Sequence, residues 1–448
     1  MPWIDVSVAA LLLAALIVGV ATRRRRALPV LVVGSAALLL LVVAFVLEGA
    51  RPQLIVEAVA AVVVAGVVLW SRSGRTPRLA VAGATLVALG VAGTAGAAWA
   101  LPPMSVPTPS GPHAVGVATH VWTDPSRDAH GGTVPGQVRS LPVTVWYPAA
   151  HSGPGSAYLP NAASAAALTG ALAQQYGMPP LLFDSLNRAR STATEKASPA
   201  DGSFPVVIAS PGFNSTRWFF TSWAEELASN GIVMIALDHP YDAAATELAD
   251  GSIAYDDLRT TGDDAADQAL ADQWAGIRAA DIRAVIDTLE GSASDAPEPE
   301  LAAVDRTRII AAGHSAGGAA AIEAARLDPR ITGVVDIDGM PRSPADTRLA
   351  QPLLAVVAGD MPANPDYERA LSSLLADRNG ARVTLDGVAH LGMIDAGRLI
   401  GPVPGLTGAN GPEGARLAAE ATLPLMKAVD TGTPIDTRAL GELGAVGK

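Results

Sequence analysis

The hydrophobic pattern changes character near residue 102. Before it, four apolar stretches, 6–22, 28–47, 54–70 and 79–101, follow one another with almost no polar face. At 1.5 Å per residue, a helix of about 20 apolar residues covers the ~30 Å of membrane hydrocarbon. A helix that is apolar all round offers no side to water. Residues 1–101 therefore predict an anchor of four transmembrane helices. Residues 102–112 (PPMSVPTPSGP) are proline-rich without an apolar period and read as a stiff tether.

From residue 113 onward, short apolar runs alternate with helical periods. Strand signals fall at 140–147, 205–210, 232–238, 308–312, 333–338, 352–359 and 381–385. Helical patterns occupy 216–230, 263–289, 316–327 and 365–376, with a last helix over 415–429. Runs of this kind suit strands buried on both faces, and the alternation predicts an α/β fold over 113–448, a doubly wound, mostly parallel sheet. Residues 156–196 break the rhythm and read either as a cap over a pocket or as a surface insertion.

Charge divides at the same boundary. Residues 1–101 hold eight Arg, no Lys and three acids (Asp5, Glu48, Glu57), whereas the remainder carries −17 of the chain's net −12. So acidic a domain excludes a nucleic-acid partner. The arginines gather in the first connection (Arg23, Arg24, Arg25, Arg26) and the third (Arg72, Arg75, Arg78), with only Arg51 in the second. Positive loops stay cytoplasmic, so the N-terminus and the 113–448 domain are expected outside the cytoplasm of a multi-pass membrane protein. The head 1–5 lacks positive charge, which argues against a cleavable signal peptide. The chain has no cysteine, which excludes disulfides, thiolate metal sites and a cysteine nucleophile. Alanine richness and 28 Arg against 3 Lys suggest a high-GC bacterial genome.

The candidate chemistry centres on Gly313-His314-Ser315-Ala316-Gly317, a Gly-x-Ser-x-Gly between a strand signal and a small-residue helix. There a serine sits on a tight turn, and the helix N-terminus offers amides to a developing oxyanion. A serine needs a base, and His390, just past the last strand signal, is the candidate. His314 adjoins the serine and is expected to point away, while His239 is expected to shape the pocket. The acid is Asp338, with Asp360 as the alternative; Asp336 is placed inside its strand. Ser210-Pro211-Gly212-Phe213-Asn214 follows an early strand, so the Phe213 and Ala316 N–H groups are the candidate oxyanion hole.

These segments (LPVTVWYPA, FPVVIASPGFNSTRWFF, LASNGIVMIALDHP, GHSAGG, VVDIDGM and GVAH) resemble the α/β-hydrolase fold. Within it they are most similar to the platelet-activating factor acetylhydrolase and related bacterial esterase group. The likeness covers about residues 113–400 and leaves out the apolar segment. In that group the acid follows the strand after the elbow helix, which implies Asp338. Related polyester and dienelactone hydrolases place it one strand later, which implies Asp360. Where many members carry His-Gly in the oxyanion loop, this chain has Pro211-Gly212.

The expected function is a membrane-anchored, lipase-like serine esterase acting on a small-molecule or lipid ester outside the cytoplasm. It would work through a Ser-His-Asp triad and an acyl-enzyme, without cofactor or metal. The alternatives are a catalytically silent hydrolase-fold protein that binds lipid or envelope ligands, and an envelope acyltransferase.

Overall fold

The computed structural model divides into two compact units, Met1–Pro103 and Met104–Lys448. It describes residues 2–22, 27–48, 52–72, 85–91 and 93, and 104–447 apart from 133–137, 178–179, 260, 292–297, 343–348, 363 and 377–379.

The first unit contains helices α1 (Pro2–Thr22), α2 (Ala27–Glu48) and α3 (Pro52–Arg72). Val8, Leu12 and Leu16 of α1 pack with Ala37 and Leu41 of α2 and Val64 and Val68 of α3. Leu38, Leu39, Phe45, Val46 and Val62 remain exposed. The expectation of four membrane-spanning helices needs correction. Among the described residues one helix, Pro29–Val46, is long and apolar enough to cross a membrane. The other apolar helical runs, Ser7–Gly19 and Glu57–Trp70, are shorter. At 1.5 Å per residue each covers only about 20 Å, short of the ~30 Å of hydrocarbon. The fourth stretch, 79–101, lies mostly outside the described residues.

The second unit is built on a ten-stranded sheet. Its strands are β1 (Ala114–Asp124), β2 (Arg139–Ala149), β3 (Thr194–Glu195), β4 (Phe204–Ser210), β5 (Val233–Leu237), β8 (Val304–His314), β9 (Ile331–Ile337), β10 (Leu353–Ala358), β11 (Gly380–Leu385) and β12 (Ala445–Gly447). Two short strands, β6 (Ala245–Glu247) and β7 (Ile253–Tyr255), form a separate hairpin. The order is β12-β11-β10-β9-β8-β4-β5-β2-β1-β3. From β11 to β5 every neighbour is parallel, and β2 and β12 join antiparallel. The mostly parallel α/β sheet of the α/β-hydrolase fold is thus present.

Alternation along the central strands supplies two cores. Val207, Ala209, Ile310, Ala312, Val335 and Val356 face one side, with α5 (Thr221–Ser229) and α9 (Gly411–Thr431). Val206, Ile208, Ile309, Ala311, Val334 and Ala355 face the other, with α6 (Asp264–Gly291), α7 (Ala316–Leu327) and α8 (Pro365–Leu375). Burial on both faces explains why these strands read as continuous apolar runs. Helix α6 docks through Ile282, Val285, Ile286 and Leu289, each contributing about 1.5–3 kcal/mol of transfer free energy. The carboxyl ends of β4, β8, β9 and β10 therefore meet at one rim, where sheets of this kind place their sites.

The segment 156–196 contains α4 (Ala162–Gln175), which contacts the β6–β7 hairpin. Its Tyr158 hydroxyl donates to Trp218 O and to Asp395 Oδ2. None of its described residues lines the cavity around Ser315.

Candidate active site

Strand β8 runs directly into α7, and Ser315 occupies the single residue between them, with φ 57° and ψ −123°. A non-glycine residue in the left-handed region stores about 1–3 kcal/mol. The surroundings enforce it. Ser315 N donates to Ile337 O at 2.9 Å, and Ser315 O accepts from the Gly318 and Ala319 amides. The turn also needs glycine behind the serine: a Cβ on Gly317 would stand 1.9 Å from Ser210 O. Only a residue without a side chain lets α7 start so close to the end of β4.

Asp338 and His390 arrive from two further strand ends. Asp338 follows β9 with φ 53° and is tied down by its amide to Val356 O and by its Oδ1, which accepts from Ala358 N at 3.0 Å. Its Oδ2 lies 2.6 Å from His390 Nδ1, the imidazole beginning the turn His390–Met393 after β11. Burial alone would raise the Asp338 carboxyl, but the hydrogen bond and charge of His390 and the Ala358 amide bring it below its ordinary value. The carboxylate therefore fixes a tautomer with hydrogen on Nδ1, leaving Nε2 for a hydroxyl. Asp360 is not paired with His390; its Oδ2 accepts from Gly405 N at 3.4 Å. Among the described residues no hydrogen bond joins Ser315 Oγ to His390, a contact that in free enzymes is often long.

Ser315, His390 and Asp338 line one cavity of about 670 Å³ with Phe213 and Ala316, the two candidate oxyanion residues. Ala316 N–H is a first-turn amide of α7 and has no partner within the helix. Leu258, Leu270, Trp274, Met340 and Met361 give the cavity a large apolar wall.

Burial shifts two neighbouring groups towards their neutral forms. Asp336 is fully buried on β9; burial and the nearby Asp338 charge push its carboxyl well above the usual range. His314 is buried too, and its Nε2 donates to His390 O at 3.0 Å with the two rings 4.5 Å apart. Burial and the charge of His390 bring His314 down to about 3. Its ring does not line the cavity and instead supports the backbone of His390. No pattern in Gly-His-Ser reveals that contact, because it joins residues 76 positions apart.

A second Ser-His-Asp chain lies behind the first. His239 Nε2 accepts from Ser210 Oγ at 2.8 Å, and His239 Nδ1 lies 2.7 Å from Asp281 Oδ2. Arg139 forks onto the same carboxylate at 2.6 Å. Ser210 and Asp281 are 0% exposed, His239 is 1% exposed, and none lines the cavity. A hydroxyl with no route to solvent or substrate cannot act as a nucleophile, so this set braces the rim instead. His239, expected to shape the pocket, is buried and does not line it.

Among the described residues one group has metal-ligating composition, His120, Glu298 and Glu300. His120 Nε2 meets Glu300 at 2.6 Å and Nδ1 meets Glu298 at 3.1 Å, so opposite edges of the ring are already engaged. None of the three lines the Ser315 cavity.

The platelet-activating factor acetylhydrolase, isoform II, family matches residues 100–254, under half of the chain and ending before Ser315. A probable 1-alkyl-2-acetylglycerophosphocholine esterase of Arthroderma benhamiae is 29% identical over 136 residues, 30% of this chain and 31% of the fungal protein. The match thus spans about a third of that relative's length. A ferulic acid esterase from Streptomyces cinnamoneus superposes with a TM-score of 0.60 at 28% identity, covering 75% of this chain and 96% of that one. The family match and both esterases support an ester hydrolase on the α/β-hydrolase fold.

Proposed function

We propose that the protein is a serine ester hydrolase in which Ser315 attacks the ester carbonyl. His390 takes the serine proton and passes it to the leaving alcohol, and Asp338 holds the imidazole and stabilises its cation. The Phe213 and Ala316 amides receive the oxyanion. Water, activated by the same histidine, then releases the acyl-enzyme. The observation that carries this reading is the 2.6 Å His390–Asp338 contact in the cavity that holds the strained Ser315.

The apolar wall suits an ester with a bulky apolar acyl or alcohol group. Of the two esterases above, one is named for a 1-alkyl-2-acetylglycerophosphocholine and the other for ferulic acid. Membrane attachment is part of the proposal. The helix Pro29–Val46 is long enough to span, and neighbouring apolar residues such as Val62 and Leu69 are exposed rather than packed. The four arginines 23–26 precede that helix and would hold its N-terminal end in the cytoplasm. The catalytic unit would then lie outside.

The test is fluorophosphonate labelling of the full chain in detergent, beside Ser315→Ala and His390→Ala. The expected result is an adduct on the Ser315 peptide of the parent and none in either variant. A folded parent that takes no label, or Ser315→Ala with full ester turnover, would overturn the reading.

A further inference from the structure

Arg278 is buried on α6 and faces the loop that follows β4. Its Nε and Nη2 grip Asp242 Oδ2 and Oδ1 at 2.5 and 2.6 Å. The same guanidinium donates to two backbone carbonyls, Nη1 to Pro211 O and Nη2 to Gly212 O at 3.2 Å. Asp242 Oδ1 in turn accepts from the Asn214 amide at 3.4 Å. One ion pair thus holds the loop 211–214 through both kinds of backbone group.

The consequence is orientation. In a trans peptide the C=O and N–H point in opposite directions, and no cis bond is found among the described residues. Drawing the Gly212 carbonyl towards Arg278 turns the Phe213 N–H away from it. Drawing the Pro211 carbonyl does the same for Gly212 N–H. The loop lies against the elbow, since a Cβ on Gly212 would stand 3.3 Å from Ser315 Cβ. Asn214 closes it with φ 50°, a strained conformation that persists only where neighbours over-determine it.

We propose that Arg278, locked by Asp242, is a positioning residue for the oxyanion hole, presenting the Phe213 N–H to the oxygen that becomes negative when Ser315 attacks. The proposal rests on the hydrolytic reading above. It requires the planar fork of arginine, because a lysine ammonium cannot hold a carboxylate and two carbonyls in one plane.

The test compares the full-length parent with Arg278→Lys and Asp242→Asn on a short-chain p-nitrophenyl ester, with Tm as the control for folding. Loss of one oxyanion donor costs about 10²–10³ in rate. Misaiming a donor is expected to lower kcat about 10–100-fold while KM stays within about twofold. Should Arg278→Lys fail to fold, Asp242→Asn carries the same expectation. A folded variant with kcat within about twofold of the parent overturns the proposal, as does a raised KM with kcat unchanged. A parent with no turnover overturns the hydrolytic reading and this proposal together; a parent whose turnover depends on Ser315 but not on Arg278 overturns this proposal alone.

Discussion

His390 Nδ1 meets Asp338 Oδ2 at 2.6 Å across 52 residues of chain, whereas the Asp360 carboxylate turns to the Gly405 amide. Asp338→Asn would place an amide donor against Nδ1 and impose the wrong tautomer. Steady-state ester hydrolysis is expected to show kcat lower by about 10³–10⁴-fold. Asp360→Asn is expected to stay within about threefold of the parent, since a carboxamide oxygen can still accept from Gly405. Equal losses in the two variants would contradict this assignment.

Asp336, two residues earlier on the same strand, is pushed well above the usual carboxyl range by burial and by the Asp338 charge. Asn is a neutral isostere, and its side-chain oxygen can keep the bond from Gly339 N, now 2.9 Å. Asp336→Asn is expected to retain activity within about threefold and a Tm no lower than the parent's at pH 8, where a carboxyl must either stay protonated or ionise in the core. Activity assay and thermal melts at that pH decide it.

His314 holds the backbone of the base through its bond to His390 O. His314→Phe keeps the ring volume and removes the donor, so kcat is expected to fall about fivefold, in line with the ~1 kcal/mol net worth of a hydrogen bond. Because burial brings His314 down to about 3, the ratio of parent to variant should be constant from pH 5 to pH 9. A ratio that changes across this range would show that His314 itself titrates during turnover.

Burial pushes the Glu225 carboxyl from its ordinary 4.5 up to about 7, despite hydrogen bonds from Ser191 and Thr192, with Asp395 nearby adding repulsion. The folded chain then binds a proton that the unfolded chain releases. This group's contribution is full below pH 4.5 and is lost as pH rises towards about 7. Glu225→Gln is expected to flatten that decline, measured as a smaller difference in Tm between pH 5 and pH 8 than the parent shows.

Much of the sheet was legible because its strands are buried on both faces and stand out as apolar runs. The runs at 205–210, 232–238, 308–312 and 381–385 correspond to β4, β5, β8 and β11. Strand β1 carries no such signal: His120 and Trp122 lie in a run whose outer half is only partly buried. Ser315 was legible from its neighbours in sequence. Arg278, Asp242 and Asp281 were not, since charged residues on α6 and in the loop after β5 read as a solvated face. Only the packing of α6 on the sheet turns Arg278 and Asp281 inward. In the first unit, apolar composition suggests more spans than the described residues support, because α1 and α3, though 21 residues each, hold shorter apolar runs than α2.

The buried Ser210–His239–Asp281 chain bears on how the nucleophile can be identified in the laboratory. Breaking a fully buried hydrogen-bonded set leaves unsatisfied groups and destabilises the fold. A mutational screen scored on turnover would therefore implicate two serines and two histidines, half of them through loss of soluble protein. Only the mass of a covalently modified peptide tells the two apart, because a reagent that must enter from solvent meets Ser315 and never reaches Ser210.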